Sequence, residues 1–91
     1  MITAGSPIRV ELRNSAGPIF RGIAEGVEFR SELGSVIEIG ANSPEYLSLG
    51  QNSEVSFRIR HDDRKFRLAN AFASLDGPNL VILAETVDEM D

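Results

Sequence analysis

The chain has 91 residues, 42% of them apolar and 25% charged, with a net charge of −5. That length holds one domain, and the apolar content suffices for one packed core rather than a disordered chain. The absence of cysteine excludes thiol catalysis, a disulfide scaffold and Cys-ligated zinc, and the acidic balance argues against non-specific nucleic-acid binding, which needs Lys and Arg to neutralise phosphates.

Met1-Ile2-Thr3-Ala4-Gly5 has neither a basic n-region nor an apolar h-region, so no signal peptide is expected. Ile8-Arg9-Val10-Glu11-Leu12 alternates with period two, the signature of a strand with one buried face. Asn14-Ser15-Ala16-Gly17-Pro18 has turn chemistry: Gly supplies positive φ, Pro pre-sets φ and Asn bonds its own backbone. The strand that follows contains Gly22, which marks a bulge or a close backbone approach. Val27-Glu28-Phe29 and Val36-Ile37-Glu38-Ile39 are short strands on either side of a turn at 31–34.

Gly40-Ala41-Asn42-Ser43-Pro44 is the next turn-like cluster, and Tyr46-Leu47-Ser48-Leu49 alternates again. Gly50-Gln51-Asn52-Ser53 reads as a turn before the alternating strand Val55-Ser56-Phe57-Arg58-Ile59-Arg60. His61-Asp62-Asp63-Arg64 reads as a hairpin tip. The stretch 64–75 is ambiguous: Phe66, Ala69, Phe72 and Ala73 share a helical face and its three Ala favour helix, while Phe66 and Leu68 alternate. Return of the hairpin favours strand. After the turn Asp76-Gly77-Pro78-Asn79, the run Leu80-Val81-Ile82-Leu83-Ala84 suits a central strand buried on both faces. Turn signals every ~8–12 residues predict an all-β fold. The expectation is a single small β-sandwich of about eight or more short, mostly antiparallel strands over residues 1–87, ending in a frayed acidic tail at 88–91.

Chemistry-bearing patterns are sparse. His61 is the only histidine, flanked by Asp62 and Asp63. One reading is a base oriented by a carboxylate; the other is a solvated hairpin tip. One His and two adjacent carboxylates fall short of four metal ligands. Neither GxGxxG nor GxxxxGK[ST] occurs. The expectation is therefore a non-enzyme without metal or cofactor. No apolar run approaches the ~18 residues of a membrane helix, so no direct membrane insertion is expected. Eight of nine cations are Arg, a residue suited to interface contacts but equally a mark of GC-rich coding. Arg58, Arg60, Lys65 and Arg67 are expected to face outward together as a basic sheet face. That face either docks an acidic partner or is an ordinary charged exterior balanced by Glu54, Asp62 and Asp63.

The segment Pro18-Ile19-Phe20-Arg21-Gly22-Ile23-Ala24-Glu25-Gly26-Val27-Glu28-Phe29 resembles the N-terminal β-sandwich domain of the epsilon subunit of F-type ATP synthases. The alternating first strand, the turn Glu32-Leu33-Gly34 and the closing Val81-Ile82-Leu83-Ala84-Glu85-Thr86 follow in that family's order. The chain departs at 40–44, where the family's Pro-Gly-His-x-Pro loop is not intact. It departs again at Asn70-Ala71, which replace a double Gly, and the family's C-terminal helical hairpin is missing. The resemblance implies a non-catalytic coupling subunit of a proton-driven rotor stalk, docking to the gamma subunit and to the loops of the membrane c-ring. It places Glu32, with Leu33 and Gly34, at the c-ring contact, and it implies a cytoplasmic location, peripheral at the inner face of the membrane. Arg58, Arg60 and Arg67 are the further candidates for protein contact. The rival reading is a stand-alone interaction module that has lost the ATPase context and self-associates through open sheet edges.

Overall fold

The computed structural model describes residues 7–39, 45–60 and 62–90. The 40–44 loop, His61 and the terminal Asp91, each singled out in the sequence, lie outside that range. The fold is all-β, with eight strands: β1 (Ile8–Asn14), β2 (Gly17–Ala24), β3 (Gly26–Ser31), β4 (Val36–Glu38), β5 (Tyr46–Ile59), β6 (Asp62–Asp76), β7 (Asn79–Leu83) and β8 (Thr86–Met90).

Alternation along each strand explains why these segments pair. Ile8, Val10 and Leu12 of β1 are buried while Arg9 is exposed, and Val27 and Phe29 of β3 point inward between Glu28 and Arg30. Inward-facing apolar residues drive the sheet to close on itself. The strands form one hydrogen-bonded path, β2-β1-β7-β6-β5-β3-β4, with β8 added to β6. The pairs are antiparallel except β1 with β7, which is parallel.

The hairpin of β5 and β6 turns this path into two layers. Residues 72–76 of β6 pair with β7. Residues 65–69 of the same strand pair with β8. The hairpin thus serves the β2-β1-β7 layer with one half and the β4-β3 layer, closed by β8, with the other. The change of direction falls at Gly50, where φ is +72°, beside a register shift between Ser48 and Gly50. Asn70 takes φ +50° at the same level of the partner strand. A local left-handed pair of this kind is what reads as a turn in Gly50-Gln51-Asn52-Ser53. Pairing with β6 on both sides keeps β5 a single 14-residue strand instead.

Three phenylalanines fill the space between the layers. Phe20 of β2 stacks on Phe57 of β5 with ring centroids 5.4 Å apart, and Phe66 of β6 lies 5.7 Å from Phe20. Gly22 makes room: a Cβ there would sit 3.1 Å from the Phe20 ring. The close approach expected at Gly22 is therefore that of an aromatic ring, while the β1–β2 bulge falls between Leu12 and Arg13.

The hairpin's return settles 64–75 as expected: the stretch is strand throughout, because its apolar residues find partners on β5 along its whole length. One further expectation is corrected. Residues 88–90 are not a frayed tail. They belong to β8, which covers the open edge of β6, and Val87 packs against the core. Glu89 takes both Arg64 donors, Nε at 2.5 Å and Nη2 at 3.0 Å. The Arg64 guanidinium also lies 5.0 Å from the centre of the Phe20 ring and 5.6 Å from that of Phe66, so it roofs the aromatic cluster where the layers part.

The hydrogen bond from Arg64 holds the Glu89 carboxyl below its usual range. A carboxyl depressed in the folded state stabilises above the unfolded value and loses that contribution as pH falls through the folded one. Glu89→Gln is therefore expected to lower the urea midpoint at pH 7, and its difference from wild type is expected to shrink progressively as pH falls below the ordinary carboxyl range of about 4. A difference that stays constant with pH defeats the assignment.

Candidate docking surfaces

The first surface is the turn between β3 and β4. Gly34 takes φ +90°, and its amide donates to the Ser31 carbonyl at 3.0 Å. The Ser35 amide donates to Ser31 Oγ at 3.1 Å, so the loop is tied at both ends. Leu33 is left 90% exposed at the tip. Glu32 accepts a hydrogen bond from Asn52 Nδ2 at 3.0 Å. A shallow recess of about 150 Å³ joins Glu32 and Asn52 to Arg30, Glu54 and Arg67. The structure thus brings together Glu32 and Arg67, which lie 35 positions apart in the chain.

Arg58 and Arg60 lie elsewhere. Arg67 pairs with Glu54, four positions before Arg58 on β5, a span of ~13 Å. Arg58 faces outward opposite Asp63, with an N–O distance of 3.9 Å. Arg60 sits in the hairpin turn at φ +57°. Arg58, Lys65 and Arg67 do share one outer face. The neighbouring strands bring carboxylates into the same rows: Glu28 and Glu38 beside Lys65, and Asp88 beside Arg67. The face is charge-alternating rather than basic, because β3, β4 and β8 supply the anions and sequence neighbours alone do not reveal them. A cleft of about 330 Å³ on this side is lined by Glu25, Glu28, Glu38, Asp63, Arg58 and Lys65.

The second surface was not anticipated from the sequence. It is the outer face of the other layer. Leu83 of β7 stands directly opposite Phe72 of β6, and Val81 opposite Ser74, which in turn stands opposite Tyr46 of β5. Tyr46 is 73% exposed, Phe72 47% and Leu83 38%, with Val81 half-buried. The run 80–84 was expected to be buried on both faces. In the structure only Leu80, Ile82 and Ala84 face the core, and no described element packs on the opposite side. The signal was present as an apolar run with no period; the missing layer over it was not. Phe72 compounds the effect, since the small Ala71 and Ala73 take the inward positions and the ring goes out.

Sheet edges offer less. β4 has three residues, β2 carries Pro18 and Arg21, and β8 carries Asp88 and Glu89. Shortness, proline and charge all blunt edge-to-edge pairing, which opposes self-association by that route. Among the described residues no group of three His, Cys, Asp or Glu side chains is placed to hold a metal ion. No helix among them is long and apolar enough to cross a membrane. Comparison of the chain with known proteins finds no matching family model and no matching curated protein.

Proposed function

We propose that the chain is a non-catalytic docking subunit, of the kind the epsilon N-terminal domain represents. In this reading the apolar outer face of the β2-β1-β7 layer seats a gamma-like stalk subunit. The tied turn at 31–35 offers Glu32 and Leu33 to the polar loops of a c-ring, which would hold the protein peripherally at the inner face of the membrane. The observation behind the reading is the uncovered group of Tyr46, Phe72, Val81 and Leu83, which cross-strand pairing places side by side on one outer face. Contiguous exposed apolar surface on a small domain marks an interaction site. Aromatic side chains with a polar surround are typical of interface centres.

The test is size-exclusion chromatography of the full chain with the cognate gamma subunit at micromolar concentration. Co-elution is expected, and Leu33→Asp should leave it intact while weakening retention on membranes that contain the c-ring. Leu33 makes no contact that folding needs, so this variant should unfold with the wild type. Failure of the wild type to co-elute overturns the rotor-stalk reading and leaves the stand-alone interaction module.

A further inference from the structure

The apolar face does not stand alone on its layer. β1 lies beside β7, and its outward residues are Arg9, Glu11 and Arg13, level with Asn79, Val81 and Leu83. β2 adds Arg21 opposite Glu11. Glu11 Oε1 is 2.8 Å from Arg13 Nη1 and 3.5 Å from Arg21 Nη2. One carboxylate thus serves two guanidinium groups, and Arg9 has no ion pair among the described residues. On a chain of net charge −5, this flank carries a surplus of positive charge immediately beside exposed aromatic and aliphatic side chains.

The dimensions narrow the occupant. The apolar group spans β7, β6 and β5, which is two strand spacings or ~10 Å. That is the width of one α-helix with its side chains. Along the strands the outward apolar positions of β7 are Val81 and Leu83, ~7 Å apart, which seats a little more than one helical turn, with Asn79 next in line. An added strand is a poor fit, because a flat face has no free backbone groups to pair with it.

We propose that this face binds an amphipathic helix of a partner protein. The helix has an apolar stripe that seats on Phe72, Leu83 and Tyr46, and it bears carboxylates along the one flank that faces Arg9, Arg13 and Arg21. The inference rests on the docking reading above only in treating this face as the contact surface. It adds the partner's secondary structure, its charge and its orientation. Charge complementarity fixes which way round the helix lies, since only one side of the stripe is basic; Asp76 lies at the other end of the Arg9 row.

The probe is a synthetic amphipathic peptide about 18 residues long, with Leu at helical spacing and Glu along one flank. A second peptide carries Lys in place of each Glu. Each is titrated to about 1 mM into the isotope-labelled full chain and followed by amide chemical shifts. The Glu peptide is expected to shift amides in β6 and β7 around Phe72 and Leu83. Phe72→Ser is expected to weaken it about tenfold or more. The double variant Arg9→Glu, Arg21→Glu is expected to weaken the Glu peptide and strengthen the Lys peptide. Both variants change exposed side chains, and a urea melt confirms that they fold.

No shifts, shifts confined to the β4-β3 layer, or equal binding of the two peptides overturns the proposal. So does concentration-dependent dimerisation in sedimentation velocity that Phe72→Ser abolishes, which assigns the face to a second copy. Peptide binding without gamma co-elution removes the rotor-stalk reading and keeps this one. Gamma co-elution without peptide binding does the reverse.

Discussion

Phe57→Ala is expected to remove about 3–5 kcal/mol of stability, the usual cost of emptying a buried phenylalanine site. Phe57 is 0% exposed and stacks on Phe20 with ring planes 12° apart; its centroid lies 5.8 Å from that of Phe66. The three rings come from β2, β5 and β6, so they join strands that are not all neighbours in the hydrogen-bonded path. Losing one of three mutually packed rings removes contacts to both of the others at once. The surroundings cannot collapse into the gap easily, because Gly22 is already the space that lets Phe20 lie flat. A domain of this size has roughly 5–15 kcal/mol in total, so the melting temperature should fall by at least about 12 °C. Thermal melts followed by circular dichroism measure this. Phe72→Ser is the internal control: the same residue type, facing outward, should leave the melt nearly unchanged. A loss at Phe57 of less than about 1 kcal/mol contradicts the placement of the ring between the layers.

Gly50→Val is expected to cost about 1–3 kcal/mol through backbone strain rather than crowding. Nothing lies within 4 Å of where a Cβ would sit at Gly50, so there is room for a side chain. The obstacle is φ +72°, which a β-branched residue resists. This is where β5 leaves one layer for the other, and straightening it would break the pairing of Tyr46, Leu47 and Ser48 with residues 72–74. Gly50→Asn should cost much less, since asparagine tolerates the left-handed region, and Asn70 adopts that region on the partner strand. Urea titration of the two variants decides the point; equal costs would mean that something other than φ sets the requirement.

The strands themselves were legible. Ile8, Val10 and Leu12 face in because alternation with Arg9 and Glu11 leaves one apolar side, and an apolar side has to be covered. The turns at 14–17 and 76–79 were legible for a different reason. Asn14 Oδ1 accepts the Ala16 amide at 2.8 Å, and Gly77 takes φ +58°, both local properties of the residues present. Continuity of β5 through Gly50 was not legible, because a left-handed glycine looks the same in a loop and in a bent strand. The strand character of 86–90 was equally hidden: Asp88 and Glu89 look solvated until Arg64, on another strand, is set beside Glu89.

The docking surfaces divide along the same line. The turn at 31–34 was found as a motif, and its exposed Leu33 follows from the tight closure of Ser31 onto Ser35. A basic docking face of Arg58, Arg60, Lys65 and Arg67 was one of two readings of that side; Arg60 lies in the hairpin turn, and cross-strand Glu28, Glu38 and Asp88 offset the other three. The face that does combine apolar area with surplus arginine is assembled from β1, β2, β5, β6 and β7, and no stretch of sequence contains it.

The amino-acid sequence by itself determined the all-β class, most strand positions and the tight turns, because periodicity and turn chemistry act over a few residues. Only the tertiary structure decided which side of each apolar strand is covered. Coverage depends on what the other elements bring to that place, and among the described residues none is brought to the outer side of β7, so Val81 and Leu83 stay uncovered there.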